Sequence, residues 1–501
     1  MSEYPVVAGD EHAPIRLYET AIADAAGVRR ERDSLGELDV PADAYWGIHT
    51  ARALINFPIT RRAIYNYPDL IRALAATKLA AARANARIGV VDQVKADAIE
   101  AACREIMAGE LHGEFMVGVI QGGAGTSTNM NANEVIANRA LELLGHRKGE
   151  YSHLHPIDDV NRSQSTNDVY PTAIRIAMVF ALARLSDEHA KLADAFAAKA
   201  REFAEVLKIG RTQLQDAVPM TVGQEFRSWA HTLDEDQRLF AASRSALVEI
   251  NLGATAIGTG ITADPAYASA VREELSEVLG FEVITAPDLI EATSDTGAYV
   301  TLSSTLKRAA VKLSKICNDL RLLSSGPQAG IHELMLPARQ AGSSIMPGKV
   351  NPVIPEVVNQ VAFGIIGNDA TVTAAAEAGQ LQLNAFEPVI AHAILQSTYW
   401  LSNACRTLRI NCVDGIEVDR SRLRALVATS VGVVTALTPY IGYQLAADLA
   451  HEALATGESI RSLVLGRGLM DPERLDRVLT PERLSGLVPV TGAIRLTDDA
   501  D

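Results

Sequence analysis

The chain has 501 residues, with 46 Lys and Arg against 61 Asp and Glu, a net charge of −15, 48% hydrophobic residues and only 5% aromatic ones. Such acidity repels nucleic acid and anionic membrane surfaces, so neither is expected as a partner. The length exceeds one compact core, so roughly two to four domains are expected, and the Ala- and Leu-rich, aromatic-poor balance favours helices packed through small side chains.

Residues 1–30 mix Pro, Gly and charge without periodicity and read as a loosely ordered extension. They hold no basic stretch followed by an apolar one, so no secretory signal is expected. Residues 31–165 alternate short helical patterns with Gly- and Asn-rich loops, an N-terminal helical domain. Residues 166–420 are expected to form a central bundle of long helices. One segment runs from about Leu182 to Leu207, with Leu185, Leu192, Phe196 and Phe203 on one stripe. A second runs from Gly223 to Ile250 and stops at Asn251-Leu252-Gly253. In a third, Leu302, Leu306, Ala309, Leu313, Ile316, Leu320 and Leu323 make an unbroken heptad seam that needs partner helices, and Ser324-Ser325-Gly326-Pro327 ends it. A fourth starts near Pro355 and holds Val358, Val361 and Ile365. Residues 421–501 are broken by Gly432, Gly442 and Gly466 and read as a small C-terminal helical domain ending in an acidic tail, Asp498 to Asp501. Alternating strand patterns are scarce, so the expected fold is all-α, built on a long central helical bundle.

The longest apolar run, Ile176 to Ala183, is closed by Arg175 and Arg184, far short of the ~20 residues of a membrane span. Cys103, Cys317, Cys405 and Cys412 form no CxxC pair and read as reduced, buried thiols. A soluble, cytoplasmic protein is expected. Several motifs fail on inspection. Gly342 to Lys349 has the wrong spacing for a phosphate loop, and Val350 stands where a magnesium-binding hydroxyl is required. His332-Glu333 lacks the second His of a zinc-protease helix. His153, His155, Asp158 and Asp159 match no standard metal spacing and read as a polar surface loop. Glu356 and His49 read as structural. No metal and no cofactor is expected.

Four polar clusters remain: Gly122-Gly123-Ala124-Gly125-Thr126-Ser127, Ser165-Thr166-Asn167, Gly210-Arg211-Thr212-Gln213, and the loop Gly342-Ser343-Ser344-Ile345-Met346-Pro347-Gly348-Lys349-Val350-Asn351-Pro352. Taken singly they read as turns, a helix N-cap and a solvated charge. Taken together they suit a small dianion. Removing a proton next to a carboxylate, with loss of a group from the neighbouring carbon, builds a doubly negative, enediolate-like species. Neutral hydroxyls, amides and backbone N–H groups stabilise it without much desolvation, and one Lys complements the other carboxylate. A base is also required; Ser is a poor one unless ionised, and a Gly-bounded loop can ionise a Ser by aiming backbone N–H groups at it.

The stretch Gly342 to Pro352 resembles the signature of the aspartase/fumarase superfamily at every position. Gln121 to Ser127 running into Asn129-Met130-Asn131, and Ser163 to Asp168, resemble its other conserved segments, and the likeness extends from about Leu35 to residue 480. Gly210 to Met220 and Glu377 to Asn384 resemble the branch that deaminates aspartate. The resemblance implies a three-domain fold in a homotetramer, with sites shared between subunits. It implies Ser343 as the general base. It implies Thr126, Ser165, Thr166 and Thr212 on the β-carboxylate, Ser344, Lys349 and Asn351 on the α-carboxylate, and Asn167 on the amino group. Many fumarases carry His where this chain has Gln213. A non-titrating Gln suits departing ammonia better than departing hydroxide, which benefits from a delivered proton. A fumarase, a lyase for a larger amino-linked substrate, and a non-catalytic protein on the same fold stand as alternatives.

Overall fold

Helix dominates the computed structural model, which describes residues 17–488. Five helices of 25 to 37 residues carry the architecture: Thr166–Glu202, Val222–Leu247, Gly297–Leu323, Val353–Glu377 and Glu387–Asn411. Every seam position from Leu302 to Leu323 is buried, with exposures of 0 to 6%. A strict 4,3 spacing of apolar residues on one helix has this consequence when the stripe is covered. All four cysteines are free and buried.

The first long helix starts at Thr166, well before the apolar stripe suggests. Pro171 lies inside it and has no N–H to give the Asn167 carbonyl four residues back. The side chain of Asn251 takes that place, donating Nδ2–H to Asn167 O at 3.0 Å. The same helix stops at Glu202, and Leu207, read as its last apolar position, opens a β-strand instead. This helix is long and apolar enough to cross a membrane by length and composition, and 78% of its apolar window is buried inside the protein.

The segment expected to be loose is described from residue 17. It forms a helix, Leu17–Ala23, and a strand, Val28–Asp33, paired antiparallel with Gly36–Pro41. Polar contacts rather than an apolar stripe fix this strand, which is why periodicity misses it. Arg29 donates to the carbonyls of Pro41, Ala44 and Trp46 and pairs with Glu31 at 2.8 Å. Residues 1–16 and the acidic tail at Asp498 to Asp501 lie outside the described residues.

Compactness divides the chain into two units. The first comprises the chain up to Leu185 with Leu239–Lys307 and Gly364–Trp400; the second comprises Ser186–Arg238, Arg308–Phe363 and the chain from Leu401 onward. In the first unit, helix Pro68–Arg87 packs against Gln93–Met107 and Tyr267–Leu279. Its Ala73, Ala75, Ala76, Ala80, Ala81 and Ala84 are fully buried, and their small side chains let the helices approach closely. Helix Thr126–Leu143 packs on Gln93–Met107 and on Ile48–Asn56. In the second unit, strands Leu207–Thr212 and Gln215–Thr221 form an antiparallel hairpin against helix Arg420–Thr429. Leu437, Leu449, Val464 and Leu475 centre a separate C-terminal core there.

Candidate active site

The predicted residues fall into two sets, one in each unit. Thr126, Ser165, Thr166 and Asn167 belong to the first unit; Thr212, Gln213, Ser343, Ser344, Lys349 and Asn351 belong to the second.

In the first unit, two helix N-termini carry the set. Thr126 opens helix Thr126–Leu143, and Gly125 at its N-cap has φ +89. A Cβ at Gly125 would lie 2.3 Å from the Tyr170 ring, so only glycine fits. Gly125 brings no capping side chain. Gln121 supplies the acceptor, its Oε1 receiving both the N–H and the hydroxyl of Thr128 at 3.1 Å. The Thr126 hydroxyl donates to Gly123 O at 2.8 Å. Ser165 caps helix Thr166–Glu202 in a reciprocal box: its Oγ accepts the Asn167 N–H at 3.2 Å, and Asp168 Oδ1 accepts the Ser165 N–H at 2.9 Å. The N-cap reading of this segment is therefore realised in the fold.

Asp168 is fully buried and ties this N-terminus to the loop at 251–255, its Oδ2 accepting the N–H groups of Gly253 at 3.1 Å and Thr255 at 2.9 Å. Burial pushes its carboxyl up to about 6, against the pull of those N–H donors and Lys78. Asn167 donates Nδ2–H to Ala256 O at 2.7 Å. That commitment turns its carbonyl oxygen the other way, as an acceptor. Thr166 Oγ1 accepts from Asn129 Nδ2 at 3.1 Å, so the first turns of the two helices adjoin.

In the second unit, Thr212 ends the first hairpin strand, and Gln213-Leu214 form a two-residue turn closed by the Thr212–Gln215 pair. Gln213 has φ 51 and Leu214 φ 63. Both sit in the left-handed region that hairpin turns demand and that Asn-Gly fills most easily. The strand register shifts between Ile209 and Arg211, around Gly210. Below the turn, Glu333 is fully buried, 2.6 Å from Arg211 and 2.9 Å from Lys208. Lys208 also reaches Glu225 at 2.6 Å. This buried cluster anchors the strand next to Thr212.

The Ser343 loop closes on itself. The Gly342 N–H donates to Lys349 O at 2.8 Å and Asn351 Nδ2 donates to Gly342 O at 2.8 Å. A Cβ at Gly342 would lie 2.4 Å from Lys349 O, so glycine is required here too. Inside the ring, Ser343 Oγ accepts the N–H of Met346 at 2.9 Å and of Ile345 at 3.2 Å. Two backbone dipoles thus point at one half-buried hydroxyl oxygen, the arrangement that favours its ionised form. Ser344 and Lys349 are exposed, and Asn351 keeps one amide N–H uncommitted. No hydrogen bond among the described residues joins this loop to the hairpin turn.

Glu356 stands in the first turn of helix Val353–Glu377, and His49 lies in helix Ile48–Asn56, its N–H donating to buried Glu134 at 2.7 Å. Lys78 and Asn161, which lie beneath Thr166, follow no motif spacing and go unnoticed in the sequence; Asn129 stands in the family-like segment after Ser127, and its bond to Thr166 appears only in the fold. The ligand atoms of His146, Glu150 and His153 lie within 4.8 Å of one another. The two imidazoles, however, are stacked 3.8 Å apart at 10°, so their lone pairs lie in parallel planes and do not converge on a common ion.

A family described as lyase matches residues 36–367, and one described as fumarase C C-terminus matches residues 433–486. The aspartate ammonia-lyase of Pseudomonas canavaninivorans is 56% identical over 94% of this chain and 100% of its own. The cobalt-bound crystal structure of fumarate lyase:delta crystallin from Brucella melitensis is 55% identical, with a TM-score of 0.89 over 92% of this chain and 100% of that one. The class II fumarase of Schistosoma mansoni is 34% identical, with a TM-score of 0.86 over 92% of this chain and 99% of that one.

Proposed function

Because the chain belongs to the lyase family, within its aspartate ammonia-lyase branch, we propose that it converts L-aspartate reversibly to fumarate and ammonia, with Ser343 as the general base. The observation that carries the mechanism is the pair of backbone N–H groups held on Ser343 Oγ by Ile345 and Met346. The ionised oxygen removes a proton from Cβ. The electron pair moves onto the β-carboxylate, giving an enediolate-like dianion, and then expels the amino group from Cα on the opposite face as ammonia.

Ser165, Thr166 and Thr212 receive the developing charge on the β-carboxylate, and Thr126 joins them by turning its hydroxyl away from Gly123 O. Ser344, Lys349 and Asn351 hold the α-carboxylate, where the ammonium of Lys349 balances its charge. Asn167 meets the amino group with the carbonyl oxygen that its bond to Ala256 leaves outward. The working form is a cytoplasmic homotetramer with sites shared between subunits, and the division into domains at 31–165, 166–420 and 421–501 belongs to the same proposal.

Water addition to fumarate is the competing reaction on this fold. Gln213 stands against it, because an amide cannot deliver a proton to hydroxide. Identity points the same way, at 56% to an aspartate ammonia-lyase and 34% to a fumarase. The test offers the purified protein L-aspartate and L-malate separately and follows the ultraviolet absorbance of fumarate. Rapid fumarate formation from aspartate alone is expected; formation from malate alone would reverse the assignment.

A further inference from the structure

Beneath Thr166 runs a buried polar chain that begins at a cation. Lys78, in helix Pro68–Arg87, has no solvent exposure. Its Nζ donates to Asn161 Oδ1 at 2.8 Å and to Gln164 Oε1 at 2.9 Å. Burial pulls Lys78 down to about 7, against the opposing charge of Asp168; in its ammonium form it has donors only, and both amides turn their oxygens toward it. The rest of each amide agrees: Asn161 Nδ2 donates to Gln164 O, and Gln164 Nε2 donates to the carbonyls of Val160 and Arg162. Asn161 Oδ1 then accepts from Asn129 Nδ2 and Asn133 Nδ2, each at 3.1 Å. The second N–H of Asn129 reaches Thr166 Oγ1 at 3.1 Å.

This orientation persists although it leaves the buried Oδ1 atoms of Asn129 and Asn133 without hydrogen-bond partners. Turning either amide over would set its oxygen against that of Asn161, so the direction is imposed from Lys78. The last link decides the Thr166 hydroxyl. With one lone pair filled by Asn129, its hydrogen is left to donate elsewhere.

We infer that Lys78, acting through Asn161 and Asn129, fixes the Thr166 hydroxyl as a hydrogen-bond donor to the carboxylate on which negative charge develops. The three are positioning residues, and the inference rests on the role proposed for Thr166. A hydroxyl facing a carboxylate is useful only as a donor, since an inverted one presents its oxygen to negative charge. Holding the hydrogen outward before substrate arrives removes that wrong orientation and the reorganisation it would require.

The test is a double-mutant cycle in the full-length protein, read as kcat/KM for L-aspartate from fumarate absorbance. Asn129→Leu keeps the volume and removes the donor; Thr166→Val removes the hydroxyl. Each is expected to lower kcat/KM about tenfold or more, and the double variant to fall no further than the worse single one. In a Thr166→Ser background, which restores a hydroxyl, the loss on adding Asn129→Leu should return. A merely structural Asn129 would multiply its loss into the Thr166→Val background, and that result would overturn the inference. Should Asn129→Leu fail to fold, Asn129→Ala carries the same cycle. An unaltered protein that does not deaminate aspartate would sink the proposed function and this inference together; an active protein with multiplicative losses sinks the inference alone.

Discussion

Replacing Ser343 by Ala separates chemistry from structure. The ring that holds the loop does not use the Ser343 side chain: Gly342 N to Lys349 O and Asn351 Nδ2 to Gly342 O both survive the change. What is lost is one hydroxyl that accepts two backbone N–H groups. Ile345 is 82% exposed, so water replaces that acceptor and the stability change stays under about 1 kcal/mol. Ser344, Lys349 and Asn351, the proposed α-carboxylate partners, are untouched, and KM should move only a few-fold. Turnover is different. A positioned base contributes about 10²- to 10⁴-fold, or about 3–5 kcal/mol of barrier at 1.36 kcal/mol per decade. The assay is fumarate absorbance at saturating L-aspartate, beside a thermal melt and sedimentation of the same sample. A kcat within threefold of the unaltered protein, at an unchanged melting temperature, would refute Ser343 as the base and leave its N–H contacts as an ordinary loop closure.

Thr212→Val should lower kcat/KM about tenfold or more by removing a donor to developing charge while leaving the hairpin paired; unchanged kinetics would take Thr212 out of the site. Gly125→Ala should destabilise the protein by about 2–4 kcal/mol, through a Cβ driven into Tyr170 and a φ of +89; an unshifted melting curve would contradict the packing at that N-cap. Burial pushes the Glu387 carboxyl up to about 8, with Arg175 partly offsetting it. The folded state therefore holds a proton that the unfolded chain releases near the ordinary carboxylate value, and this group's contribution to stability falls as pH rises from about 4.5 to 8. Glu387→Gln should flatten that decline, so the variant gains melting temperature over the parent at pH 9 relative to pH 5; parallel curves would show that Glu387 is ionised in the fold.

The long helices are legible because periodicity is local. Leu302 to Leu323 announce their buried face within a single segment, and Ser324 to Pro327 announce its end. The Ser343 loop taken alone reads as an ordinary turn, and only its company with the other three polar clusters singles Ser343 out as the proposed base. Leu207–Thr212 is not legible, because its cause lies elsewhere in the chain. Gly210-Arg211-Thr212-Gln213-Leu214 has no Asn-Gly, and nothing local favours left-handed Gln213 and Leu214, conformations that cost roughly 1 kcal/mol or more apiece. Their support comes from the paired strands and from Glu333, which draws Lys208 and Arg211 into a buried cluster at the hairpin base. In the sequence Glu333 figures only as half of a failed zinc motif. Lys78 is hidden in the same way, as one cation in an Ala-rich helix whose amide partners lie far along the chain. In each unit, then, the group proposed to meet substrate can be read from its neighbours in sequence, whereas the buried charge near it belongs to another element. Local pattern records which chemistry is present, and only tertiary contact records which way a hydroxyl or an amide must point.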